Sequence, residues 1–223
     1  INELDDIELV SVIAPSGVVS IMAGGNILIT GVVTTGTTGT IFMQAGGRIY
    51  MAGDDPVVTG LLQAYANTGI FLATQVATLD ARVWGQGILE IRETDSIVLR
   101  DVTNSNGPIH VIAGGTMTAV CVASWADQKG NNIGLMTLSG DILLDYVGAG
   151  TRNGQVSISS AGNISETADH DPDADLKGAL RILYAQGKID KGLDWGSKRS
   201  HHFGWKCTPS FTQYEFERGE KLN

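Results

Sequence analysis

Short runs of alternating apolar and polar residues fill most of this chain: Ile27 and Ile29, Ile49 and Met51, Ile97 and Leu99, Ile142 and Leu144. A spacing of two is strand spacing, because successive side chains point to opposite faces. Glycine clusters or polar residues interrupt these runs every five to eight residues, too often for crossover helices. The interruptions also recur in kind. "AGGNILI" at 23–29 returns as "AGGRIYM" and again as "AGGTMTA", and looser copies run from Ile91 to Leu99, Met136 to Leu144 and Ile158 to Ile164.

A turn residue falls at Gly25, Gly47, Asp95, Gly115, Gly140 and Gly162, with Gly69 filling the slot after Gly47. Successive gaps are then 22, 22, 26, 20, 25 and 22 residues. A unit of this length holds three short strands and three turns. Stacked in register, such units form a right-handed parallel β-helix whose inward side chains line up in columns. The sequence predicts an all-β solenoid of about seven rungs over residues 1–167, a rod on the order of 30 Å long. One inward column should contain Ile27, Ile49, Ile97, Met117, Ile142 and Ile164, which share an offset from the corner. Glycine suits such a corner because it adopts positive φ without strain, and Asp95 tolerates that region better than most residues. The competing β-sandwich would not explain the repeated AGG register.

"AGGNILITG", "AGGRIYMAG", "SGDILLDYVG" and "SAGNISE" resemble the β-helix repeats of large bacterial secreted adhesins. These are the filamentous-haemagglutinin-like proteins of two-partner secretion and related giant surface proteins. The resemblance covers residues 16–167 and concerns architecture. It implies a structural or adhesive segment of an exported filament or surface protein, located outside the cell or on the bacterial surface. The implied partners are another copy, other segments of a longer parent, or a surface glycan or protein receptor. The chain opens on Ile1 without methionine or signal peptide, and reads as a mature form or, better, a fragment of something longer.

After Ile164 the repeat stops. Leu176, Leu180 and Leu183 stand at helical spacing, Asp171 followed by Pro172 makes a helix start, and Gly187 a stop. Residues 168–189 therefore predict an acidic linker and an amphipathic helix that caps the open end of the solenoid. Residues 190–223, with Trp195 and Trp205, read as an irregular or β-rich tail.

Composition narrows the chemistry. Of 223 residues 43% are hydrophobic and 17% charged, with 29 glycines, so the chain can build a large core with many tight turns. The net charge of −9 argues against a nucleic-acid surface. It resides in residues 1–167, which hold 6 Lys or Arg against 15 Asp or Glu; residues 168–223 hold 9 of each. No apolar run is long enough to span a membrane as a helix.

Asp169, Asp171, Asp173 and Asp175 alternate like calcium ligands, but the sixth and twelfth positions of such a loop are wrong from either starting point. His201, His202 and Cys207 lack the further ligands that zinc requires, and His110 stands apart. Cys121 continues the inward parity of Met117 and Ala119 and should be a buried core thiol. No cofactor, metal or catalytic residue is expected.

The alternative reading is a polysaccharide-degrading β-helix enzyme. It would draw on Asp54, Asp55 and Asp101 as carboxylates, or on Arg92 or Arg100 near Asp95. Trp84, Trp125, Tyr50, Tyr65 and Tyr146 are dispersed in the sequence and suggest no aromatic cleft. The threonines of "VVTTGTTGT" occur in one rung, so they make no ice-binding face. Outward positions opposite the inward column are Leu28, Tyr50, Val98, Thr118, Leu143 and Ser165, with Leu72 in the third rung if its strand shifts by one. Leu28, Tyr50, Val98 and Leu143 would give an exposed apolar contact stripe along the rod.

Overall fold

Strands in this chain pair with segments roughly one repeat away in sequence, and every pairing between named strands is parallel. The computed structural model describes residues 1–167, 176–190 and 193. They form an all-β parallel solenoid of about eight turns, one more than the repeat count predicts.

Three ladders make its sides. The first begins each turn with an inward aliphatic residue and runs through Ile7, Ile27, Ile49, Ile70, Leu89, Ile109, Ile133 and Val156. The second, shorter side includes Val57, Thr74, Glu93, Ala113 and Thr137. The third stacks Val19, Ile41, Leu62, Leu79, Leu99, Ala119 and Leu144. Beside that column lies a second inward one, Ile21, Met43, Ala64, Ala81, Val102, Val122, Val147 and Leu176. Apart from Ile7 and Val19 in the opening turn, the aliphatic members of these columns are buried. Burying each one stabilises the fold by about 1.5–3 kcal/mol before chain entropy is counted.

The AGG segments serve two different corners. Ala23–Gly25 and Ala45–Gly47 lead from the third side into the first. Ala113–Gly115 leads instead from the second side into the third, as do the turns after Thr137 and Ser160. The 26-residue gap in the repeat marks this change of corner. The expected single column is therefore two. Ile27 and Ile49 belong to the first side, whereas Ile97, Met117, Ile142 and Ile164 stack at the start of the third. All six point inward, and none is more than 2% exposed. Gly69 is not the third corner, since it pairs with Arg48 and leaves Thr68 in the slot of Gly47.

Close approach, more than positive φ, selects glycine here. Gly24, Gly25, Gly46, Gly47, Gly114 and Gly115 are absent from the positive-φ positions, although Gly140 has φ of 79°. A Cβ on Gly24 would strike the carbonyl oxygen of Leu4, one on Gly46 that of Gly24, and one on Gly114 that of Thr94. The polar residue that follows the glycines joins one turn to the next. Asp6 Oδ1 accepts the Asn26 N–H at 2.6 Å, and Asn26 Oδ1 accepts the Arg48 N–H at 2.9 Å. At the other corner Ser96 Oγ accepts from Thr116, Asp141 Oδ1 from Asn163 and Asn163 Oδ1 from Lys188, at 3.0, 2.6 and 2.8 Å. Each side chain thus satisfies a corner N–H that no strand partner reaches.

The capping helix is not present over 176–187. Leu176–Lys177 and Leu180–Ala185 are strands, the second adding a parallel rung to Gln155–Ser160. The edge of Gln155–Ser160 offers a row of backbone donors and acceptors, which a strand satisfies and a helix laid across it would not. The acidic stretch at 169–175, Trp195, His201, His202, Trp205 and Cys207 lie outside the described residues.

Candidate functional site

Outward positions of the third side gather the polar chemistry of the solenoid. Phe42, Gln63 and Asp80 follow one another on this face, since Phe42 pairs with Gln63 and Gln63 with Asp80. The neighbouring outward row is Met22, Gln44, Tyr65, Arg82 and Thr103. From the fifth turn the strand carries an extra residue. Leu79 pairs with Leu99 but Asp80 with Asp101, so Arg100 is bulged. A bulge re-aims side chains, and this one turns Arg100 back onto the preceding turn.

Two reciprocal ion pairs result. Arg82, on the earlier turn, donates to Asp101 on the later one at 2.8 Å and to Thr103 Oγ1 at 3.0 Å. Arg100, on the later turn, grips Asp80 with both arms, Nε to Oδ1 at 2.8 Å and Nη2 to Oδ2. Gln63 Nε2 also donates to Asp80 at 3.3 Å. Asp80 is 6% exposed, so its charge is tolerated only because these donors surround it. Burial, reinforced by the Asp80 charge, pushes the Asp101 carboxyl above its ordinary value, and Arg82 opposes the shift. Burial and the same Asp80 charge push the Tyr65 hydroxyl upward.

Beside the ion pairs stands a group of rings. Tyr65 and Trp84 lie nearly parallel, 6.0 Å between centroids and 24° between planes. Phe42 meets Tyr65 edge-on at 5.6 Å. Trp84 remains 44% exposed. These aromatics are dispersed in sequence, yet the stacking of successive turns brings three of them together. Sequence reasoning missed Tyr65, Trp84 and Asp80 as a group, and the available signal was the distance of Asp80 and Trp84 from Tyr65, 15 and 19 residues, close to one turn.

Other expected residues fall elsewhere. Asp54 and Asp55 sit in the bend between Arg48–Met51 and Val57–Ala66, away from Asp101. Arg92 pairs with Glu90 on its own strand at 2.9 Å, and Asp95 occupies a corner. His110 is exposed on the first side. Leu28 pairs with Tyr50 and Tyr50 with Phe71, after which Glu90, His110 and Gly134 continue the row. Val98 and Leu143 belong to the third side, separated by Thr118. The four residues therefore form two short patches rather than one stripe, and Leu72 points into the core, 4% exposed.

Cys121 is neither inward nor a thiol. It precedes Val122, which is inward, and pairs with Tyr146 on the outer row; it is buried and disulfide-bonded. The extra residue in these turns reverses the parity expected from Met117 and Ala119. Among the described residues, no group of three or more His, Cys, Asp or Glu is placed to hold a metal ion. No protein family, curated protein or solved structure matches the chain.

Proposed function

We propose that this chain is a structural and adhesive segment of an exported bacterial surface or filament protein, and that it is not an enzyme. Bacterial origin and export rest on the resemblance of its repeat to secreted adhesins. The observation that carries the non-enzymatic reading is the reciprocal pairing of Asp80 with Arg100 and of Asp101 with Arg82. Asp80 and Asp101 pair on adjacent turns, about 5 Å apart at the backbone, so a glycosidase-like pair of carboxylates is the arrangement to weigh. A nucleophile must be free to advance, however. Arg100 holds both oxygens of Asp80, and Arg82 holds Asp101 Oδ2.

A rod suits projection because each turn adds to the same apolar columns and the same ladders, so stiffness accumulates along the axis. Exposed Val10, Ile13 and Val18 offer apolar surface to a second copy. The test is to incubate the chain with pectin, polygalacturonate, alginate and neutral polysaccharides, with and without calcium. Reducing ends and unsaturated uronates would be measured. No turnover is expected. Release that disappears in Asp80→Asn or Asp101→Asn would replace this reading with the lyase or glycoside hydrolase alternative.

A further inference from the structure

We infer that the outer face around Tyr65 and Trp84 binds a neutral glycan chain lying along the rod axis. The inference rests on the adhesive reading and names its ligand. An indole left 44% exposed on a sheet face forgoes burial that a solenoid could easily have given it. Here it is held nearly parallel to Tyr65, so its orientation is fixed before any ligand arrives. Sugar rings combine an apolar C–H face with a rim of hydroxyls, and this surface has the matching arrangement. Aromatic rings supply the apolar floor, and the edges of Arg100 and Asp101, whose side chains are 51 and 39% exposed, supply donors and acceptors beside it, each braced by a more buried partner, Asp80 or Arg82.

Those polar groups do not need to be ordered on binding, because they already brace one another across adjacent turns. Charge decides the class of glycan. Two arginines face two aspartates, so the site has no net charge, and each guanidinium is already matched by a carboxylate. An acidic polysaccharide would find no unbalanced cation there and would meet the exposed Asp101 carboxylate. A neutral chain can use both kinds of edge. Phe42, Tyr65 and Trp84 come from three successive turns, a span of about 10 Å along the axis, which gives room for roughly two sugar rings.

The test uses the whole chain with cellohexaose, mannohexaose, xylohexaose and laminarihexaose, and polygalacturonate as the acidic control. Binding is read by tryptophan fluorescence and calorimetry, and the sugars are examined afterwards for shortening. At least one neutral hexasaccharide is expected to bind at millimolar or lower concentration, more tightly than polygalacturonate. Trp84→Ala and Tyr65→Ala should each weaken it about fivefold or more, as the loss of one stacking contact implies. Circular dichroism and melting temperature establish that the Trp84 variant is folded, and Trp84→Phe should restore part of the affinity. Absence of binding to all four sugars overturns the inference and leaves the rod reading standing. So does binding unaffected by Trp84→Ala, or tighter binding to polygalacturonate. Shortening of a bound sugar that is lost in Trp84→Ala supports the binding face and overturns the non-enzymatic reading instead.

Discussion

Thr74 Oγ1 donates a 2.8 Å hydrogen bond to Glu93 Oε2 between adjacent turns, inside the solenoid. The same oxygen accepts the Val76 N–H at 3.0 Å, and the other accepts the Asp95 N–H at 3.2 Å. Glu93 thus stitches the second side together from within, at a position where Thr74 and Ala113 are its neighbours in the column.

This placement predicts a pH-dependent stability. Burial raises the Glu93 pKa from 4.5 to about 7, with the bonds from Thr74, Val76 and the Asp95 backbone opposing the shift. A carboxyl raised by folding is protonated in both states below its unfolded pKa. Between 4.5 and about 7 the unfolded chain ionises while the folded one does not, so stability falls as pH rises, then levels off. The shift corresponds to a loss on the order of 3 kcal/mol. The melting temperature should be lower at pH 8 than at pH 5. Glu93→Gln should abolish most of that fall and be the more stable protein at pH 8; an unchanged slope would remove Glu93 as its source.

The two kinds of glycine predict different costs. Gly46→Ala would drive a Cβ into the Gly24 carbonyl, which is backbone and has nothing flexible to yield. Loss of several kcal/mol, or failure to fold, is expected. Gly17 has φ of 100° with nothing near its absent Cβ. Gly17→Ala should cost only backbone strain, about 1–2 kcal/mol. Urea melts of the two variants would separate them, and equal losses would mean that stacking distance is not what selects the corner glycines.

Period-two alternation and recurring glycine corners carry the fold, because strand geometry and the close stacking of turns act locally on the sequence. The change of corner between Gly47 and Asp95 was not legible, since both corners require the same small residue, close-packed backbone and polar cap. The bulge at Arg100 was equally silent. One extra residue reverses the parity of everything after it, which is why Cys121 reads as inward and lies outward. The same bulge creates the Arg100–Asp80 pair, so the candidate site depends on a register that alternation alone does not reveal. Leu176, Leu180 and Leu183 fit a helical stripe, but the edge of the preceding rung supplied a stronger claim on that backbone.

Arg100 and Asp80 predict an asymmetric response to truncation. Arg100→Met removes a half-exposed guanidinium but leaves a buried carboxylate with only Gln63 donating to it from a side chain. The expected loss is about 1–3 kcal/mol, the cost of an under-satisfied buried group. Adding Asp80→Ala should recover part of that loss, because the penalty belongs to the stranded charge rather than to a missing attraction. Thermal melts of the single and double variants measure the coupling, and strictly additive losses would show that the pair is not a unit.

The first turn predicts how the rod associates. Val10, Ile13 and Val18 are 65, 65 and 73% exposed, while Ile13 and Val18 pair on the next turn with the polar residues Thr34 and Thr40. Exposed apolar groups of this kind can mark contacts. Replacing all three by Lys places charge at that surface without entering the core, so folding should survive with a melting temperature close to the parent's. Light scattering coupled to gel filtration, over a wide concentration range, should show the parent associating and the triple-Lys variant remaining monomeric. Equal association of the two proteins would place the contact elsewhere, with Leu28 and Tyr50 on the first side the next residues to replace. A parent that stays monomeric at every concentration would remove self-association from the proposed function.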